Sequence, residues 1–127
     1  MASEISIQVQ LKATKAAVNV SRQITNAAIT MAGTHAHGLA VTVPYHATDG
    51  AAIPLGNVSA SGLGMALLYL PSTATYAVDI GTGTTTFVPL LTLAIGEAML
   101  LRFKANAAPT WRAITEAQVA ELILLEA

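Results

Sequence analysis

Three histidines and an aspartate are the residues of this chain whose types and spacing come nearest to chemistry. His35 and His37 stand two positions apart, which puts both rings on one side of an extended strand, and His46 and Asp49 follow closely enough to complete a zinc-type site. The segment that carries them is small, Thr/Ala-rich and loop-like, and histidines there more often hydrogen-bond backbone or water; no metal site is expected. Gly81-Thr82-Gly83-Thr84 lacks the Gly-Lys-Ser/Thr ending that lets a glycine-rich loop hold phosphates, and it reads as a hairpin turn. Ser61 lies outside any Gly-x-Ser-x-Gly order and has no nearby base. The carboxylates are scattered without an acid/base pair. Asn19-Val20-Ser21 and Asn57-Val58-Ser59 fit the glycosylation sequon, which carries no meaning without a secretory signal. The residues predict no enzyme, no catalytic group and no cofactor.

The elements must therefore explain the chain, and composition limits what they can be. The 127 residues suffice for one domain, read as a single β unit over 1–127 with an extended N-terminal segment, and there is no cysteine. Hydrophobic residues make up 54% and charged residues 10%, well below the roughly 25% charged of ordinary soluble domains. The longest apolar run, Gly64 to Leu70, stops at Pro71 and is far too short to span a membrane as a helix; the alternating N-terminus is no signal peptide. The remaining explanation is burial of outer surface against other subunits, most simply copies of the same chain. The net charge of −1 offers no global field for nucleic acid. Lys12, Lys15 and Arg22 lie near the start and Arg102, Lys104 and Arg112 near the end, with no cation from Gln23 to Leu101. That distribution suits a neutral middle buried in an assembly and a charged rim.

Alternation supplies the strands. Ile5, Ile7, Val9 and Leu11 alternate with polar residues as a half-buried strand, and Val18, Val20 and Ile24 repeat the pattern with Arg22 on the apolar side, predicting an opening hairpin. Arg22 there either snorkels to a sheet edge or pairs across a subunit boundary. Leu39 to Tyr45 reads as an edge strand because Pro44 cannot donate to a ladder, and Met65 to Leu70, apolar on both faces, reads as a central strand covered on both sides. Tyr76 to Lys104 reads as a three-stranded antiparallel unit with turns at Gly81 to Thr86 and at Gly96. At the C-terminus Thr115-Glu116-Ala117-Gln118 fits a helix capping box, yet Val119 to Leu125 is apolar and strand-length, so local signals lean to helix without deciding.

From Ile53 onward the order of short motifs resembles a family of small structural proteins of tailed bacteriophages. The motifs are Pro54-Leu55-Gly56-Asn57-Val58, the strand Ala66 to Leu70, Val78-Asp79-Ile80-Gly81 and Phe87-Val88-Pro89-Leu90. Leu93, Ile95-Gly96-Glu97, Leu100-Leu101-Arg102-Phe103 and Leu122-Ile123-Leu124-Leu125-Glu126 complete them. Leu70-Pro71-Ser72-Thr73 and Ile95 depart from the family's pattern. The resemblance implies an all-β virion protein, a single antiparallel sandwich or jelly-roll-like domain of about eight or nine short strands with little helix, its final run a strand. It also implies a capsid decoration or cement subunit, assembled in the bacterial host cytoplasm, that binds the major capsid protein or other virion subunits. A homo-oligomer, with a trimer favoured, would bury the neutral middle; no nucleic acid and no membrane is expected as partner. A tail or head-tail neck adaptor has the same chemistry, and a carbohydrate-binding β-sandwich is a more remote alternative that 5% aromatic content disfavours.

The residues expected to touch partners are Trp111 and Arg112 on a late loop, and Lys12, Lys15 and Arg22 in the N-terminal segment. The lone tryptophan is expected to anchor an interface because so few charges are available.

Overall fold

The computed structural model describes residues 5–29, 36–59, 63–104 and 106–126, and among them every regular element is a strand. In chain order these are β1 (Ile5–Lys15), β2 (Val18–Ile29), β3 (Ala36–Val43), β4 (Ala51–Ala52) and β5 (Leu63–Tyr69). Then follow β6 (Val78–Thr82), β7 (Val88–Leu93), β8 (Ala98–Arg102), β9 (Thr110–Ala113) and β10 (Gln118–Glu126). No described helix is long and apolar enough to cross a membrane.

The all-β expectation stands, but the strands form three sheets, none of them closed. The first is the β1-β2 hairpin alone, the second runs β3-β10-β5-β8, and the third runs β4-β9-β6-β7. All pairings between these strands are antiparallel. The two four-stranded sheets contribute to one core. Val43, Ala66, Leu68, Ala120, Leu122 and Leu124 come from the second sheet and Val78, Ile80, Leu93, Trp111 and Ala113 from the third. Each buried Leu or Val of this set contributes about 1.5–3 kcal/mol by leaving water.

Several local expectations change because tertiary pairing overrides them. The three-stranded unit from Tyr76 to Lys104 is divided: β6 and β7 pair in the third sheet, whereas β8 pairs with β5 in the second. The crossing is made at Ala94 to Glu97, where Glu97 N–H donates to Ala94 O (3.0 Å) and Gly96 takes a positive φ of 78°. Only glycine enters that region freely, as in a type II turn. Two backbone bonds with Leu70, of 2.7 and 3.0 Å, pin the crossing to the end of β5. A bulge between Ile80 and Gly81 also breaks the single face expected from Phe87 to Ile95: Phe87 and Leu93 are buried, Leu91 and Ile95 exposed. Tyr76 is exposed and lies before the strand.

The C-terminal run is a strand, against the local helix signals. It occupies the middle of its sheet, pairing with β3 on one side and β5 on the other. In that place Ala120, Leu122 and Leu124 are buried and Val119, Glu121 and Ile123 exposed, the period of two that a strand imposes. β5 is central as expected, but only one of its faces is fully covered: Leu68 is buried and Leu67 points out. β3 is an edge strand, and Pro44 follows its last residue.

Candidate functional site

The surface that stands out is built from two parts, a projecting hairpin and the uncovered face of a sheet. In the hairpin, Leu11 lies opposite Arg22, Val9 opposite Ile24 and Ala13 opposite Val20. Directly opposed residues share a face, so one side of the ribbon carries Val9, Leu11, Ala13, Val20 and Ile24 around Arg22. Gln10, Gln23, Lys12, Ser21, Thr14 and Asn19 occupy the other side. The ribbon turns at Ala16, which takes a positive φ of 49° without being glycine. Both faces are open along most of its length, with Leu11 68% and Val20 53% exposed; among the described side chains only Ile5, at the root, is buried. The expected half-buried hairpin is therefore half-buried only in sequence pattern. Among the described residues, Leu11, Val20 and Ile24 on its apolar side stay exposed.

The second part is the outer face of the β3-β10-β5-β8 sheet. Register aligns Gly38, Ile123, Leu67 and Leu100 in one row across all four strands, and Ala40, Glu121, Tyr69 and Ala98 in the next. Ile123, Leu67, Leu100 and Val119 are all exposed. Two open clefts lie on this face. One, of about 490 Å³, runs between the root of β1 and the row, lined by Ile7, Val9, Met65, Leu67, Leu100 and Ile123 among others. The other, of about 650 Å³, lies over Gly38, Ala40, Tyr69 and Glu121. Both are mainly apolar, and what they offer is desolvation of an apolar partner.

The expected contact residues separate into two groups. Lys12, Lys15 and Arg22 lie together on the exposed hairpin. Trp111 does not join them: it is 1% exposed, on the inner side of β9 in the core, and has no surface to give a partner. Its place in β9, opposite Ala51 in β4 and Ile80 in β6, fills the space beneath two sheet neighbours. Arg112, the next residue, points the other way and is engaged inside the chain. Its Nη1 donates to Ala47 O at 3.1 Å, its Nη2 lies 3.8 Å from Asp79 Oδ2, and its guanidinium sits 4.8 Å from the centre of the Phe87 ring. Thr92 Oγ1 donates to the other Asp79 oxygen at 3.1 Å. Arg112 thus fastens the loop before β4 and the turn before β7 to the outer face of the third sheet.

The two described histidines stand in separate surroundings. His37 lies in β3 with its ring against the backbone of Gly56, His46 follows the bridge between Tyr45 and Ala113, and Asp49 accepts a bond from Thr48 Oγ1 at 3.2 Å. His35 and Ser61 fall outside the described residues. Among the described residues no group of three or more His, Cys, Asp or Glu converges on a possible metal position.

The outer row on β10, β5 and β8 and the carboxylate of Glu121 are the functional candidates that sequence reading missed. The signal was present in Val119 to Leu125 and Met65 to Leu70, where apolar residues occupy both faces of a strand. That pattern requires cover on both sides; among the described residues the outer face is covered at Met65 but open at Leu67, Leu100 and Ile123. No family model, curated protein or solved structure matches the chain.

Proposed function

We propose that this chain is a non-enzymatic structural subunit of a tailed-phage virion, a decoration or cement protein bound to the capsid. The observation that carries the assembly part of this reading is the pairing of an exposed apolar ribbon with an exposed apolar sheet face. Contiguous apolar surface of that kind is costly on a free monomer and marks contact with other proteins. The order of motifs from Ile53 to Glu126, similar to that of small phage structural proteins, supports the virion part. In the same reading the two four-stranded sheets are the halves of one sandwich.

A cement subunit acts by mass action. It binds a site that exists only on the assembled lattice, so occupancy favours the lattice over its separated parts, by about 2.7 kcal/mol per site when the free subunit is at 100 times Kd. Such a subunit needs a rigid body and extended apolar contacts, and no reactive group.

The test is the copy number of this chain in purified virions, by quantitative mass spectrometry against the major capsid protein. A copy number comparable to the capsid protein's is the expected result. A handful of copies per particle would move the chain to the tail or neck, and absence from the particle would overturn the virion reading.

A further inference from the structure

The hairpin and the sheet face carry matching patterns. Along β2, Val20, Arg22 and Ile24 follow one another at two-residue spacing on the apolar side of the ribbon, with Val20 53% and Ile24 49% exposed. Along the outer face of β10, Val119, Glu121 and Ile123 follow at the same spacing, with Val119 53% and Ile123 48% exposed. Each is an apolar residue, a charge and an apolar residue on about 6.6 Å centres, the two-residue repeat of a strand. The charges are opposite. The same holds for the larger pieces: residues 5–29 contain three cations and no carboxylate, while residues 30–127 contain three cations against six carboxylates and so carry a net charge of −3.

We propose that the apolar side of the hairpin of one copy docks on the outer face of the β3-β10-β5-β8 sheet of a second copy, with Arg22 against Glu121. This rests on the assembly-subunit reading, to which it adds the partner and the register. In the docked pair, Val20 and Ile24 lie over Val119 and Ile123 in whichever direction the strands run, because both triplets are symmetric about the charge. Leu11, the cross-strand neighbour of Arg22, falls in the row of Glu121, over Tyr69 or Ala40, and the Leu67–Leu100 row is met by Val9 or Ala13, the neighbours of Ile24 and Val20. Arg102, the one cation at a register position on that face, stands opposite Met65, two rows away from Glu121. The root of β1 already faces the same row across the 490 Å³ cleft, and a second hairpin extends that apolar contact without changing its chemistry.

The charge pair makes the proposal testable without removing any core residue. Wild type, Arg22→Glu, Glu121→Arg and the double variant Arg22→Glu/Glu121→Arg are compared by analytical ultracentrifugation at equal concentrations. Trp111 emission serves as the check that each is folded. The expected result is a self-associated wild type, association weakened at least about tenfold in each single variant by the like charges it brings together, and recovery in the double variant. A monomeric wild type, unchanged single variants, or a double variant no better than the singles would each overturn the proposal. All arms use the purified chain, so they are independent of the virion copy number: the docking can fail while the virion reading stands, and the reverse.

Discussion

Gln118 ties the start of β10 to the loop before β6 with a single amide. Its Oε1 accepts from Thr75 N–H at 2.9 Å and from Tyr76 N–H at 3.4 Å, and its Nε2 donates to Thr75 Oγ1, Glu116 O and Ala117 O at 3.2, 3.1 and 3.0 Å. The side chain is buried, so a partner lost here is not replaced by water at no cost. Gln118→Ala is expected to destabilise the fold by about 1–3 kcal/mol, read as a lower urea midpoint with an unchanged slope. Trp111 belongs to the same scale. As a core residue its truncation removes packing from both its neighbours in the third sheet and the facing sheet, and Trp111→Ala is expected to cost about 3–5 kcal/mol of folding stability. The measurement that separates this from an interface anchor is ultracentrifugation of the protein that remains folded at low temperature. Self-association per folded molecule should match wild type, because the side chain reaches no outer surface.

At the scale of elements, β10 shows how position in a sheet decides a conformation that local residues leave open. Thr115 to Gln118 resembles a helix start, but Gln118 spends its amide on Thr75, and Glu116 accepts from Thr75 Oγ1 at 2.9 Å instead of closing a capping box. Backbone bonds to two neighbouring strands then outweigh a propensity difference that amounts to tenths of a kcal/mol per residue. The consequence is a test by adjacent residues. Leu122→Ala should cost about 2–5 kcal/mol and Ile123→Ala less than about 1 kcal/mol in monomeric protein, because successive side chains of a strand face opposite ways. Comparable losses at both positions would contradict that assignment. The opening hairpin and the all-β class were legible because alternation reports directly on pairing; β3 is at an edge as expected, but Pro44, the reason for expecting it, follows its last residue. The division of the unit from Tyr76 to Lys104 between two sheets was not, since the turn at Gly96 looks the same in sequence whether the next strand pairs with its predecessor or crosses to another sheet. For the candidate site, Lys12, Lys15 and Arg22 were found through their charge. The row of Ile123, Leu67 and Leu100 was missed because register across strands far apart in sequence assembles it.

For the whole molecule the arrangement is a body with one core and a ribbon that adds little to it. From Gln10 to Gln23 every described side chain is exposed, so this stretch gains almost nothing in stability from the fold that carries it. An eleven-residue strand reaches about 35 Å. In the docking proposed above, a reach of that length with an apolar side has its use outside the chain. The body and the ribbon should therefore be separable. Val9 and Ile24 are cross-strand partners, and an Asn-Gly turn joining them would delete residues 10–23 while preserving the root at Ile5 and Ile7. The comparison is made with Arg22→Glu, at concentrations where both chains are monomeric, so that loss of association does not enter the unfolding free energy. The shortened chain is expected to unfold within about 1 kcal/mol of that reference, since surface changes away from core and caps stay small. It should also remain monomeric at concentrations where the wild type associates, and a second substitution, Glu121→Arg, should no longer alter its mass. A fall of several kcal/mol would instead mean that the ribbon supports the core, and its exposed apolar side would then have to be explained by folding rather than by a partner.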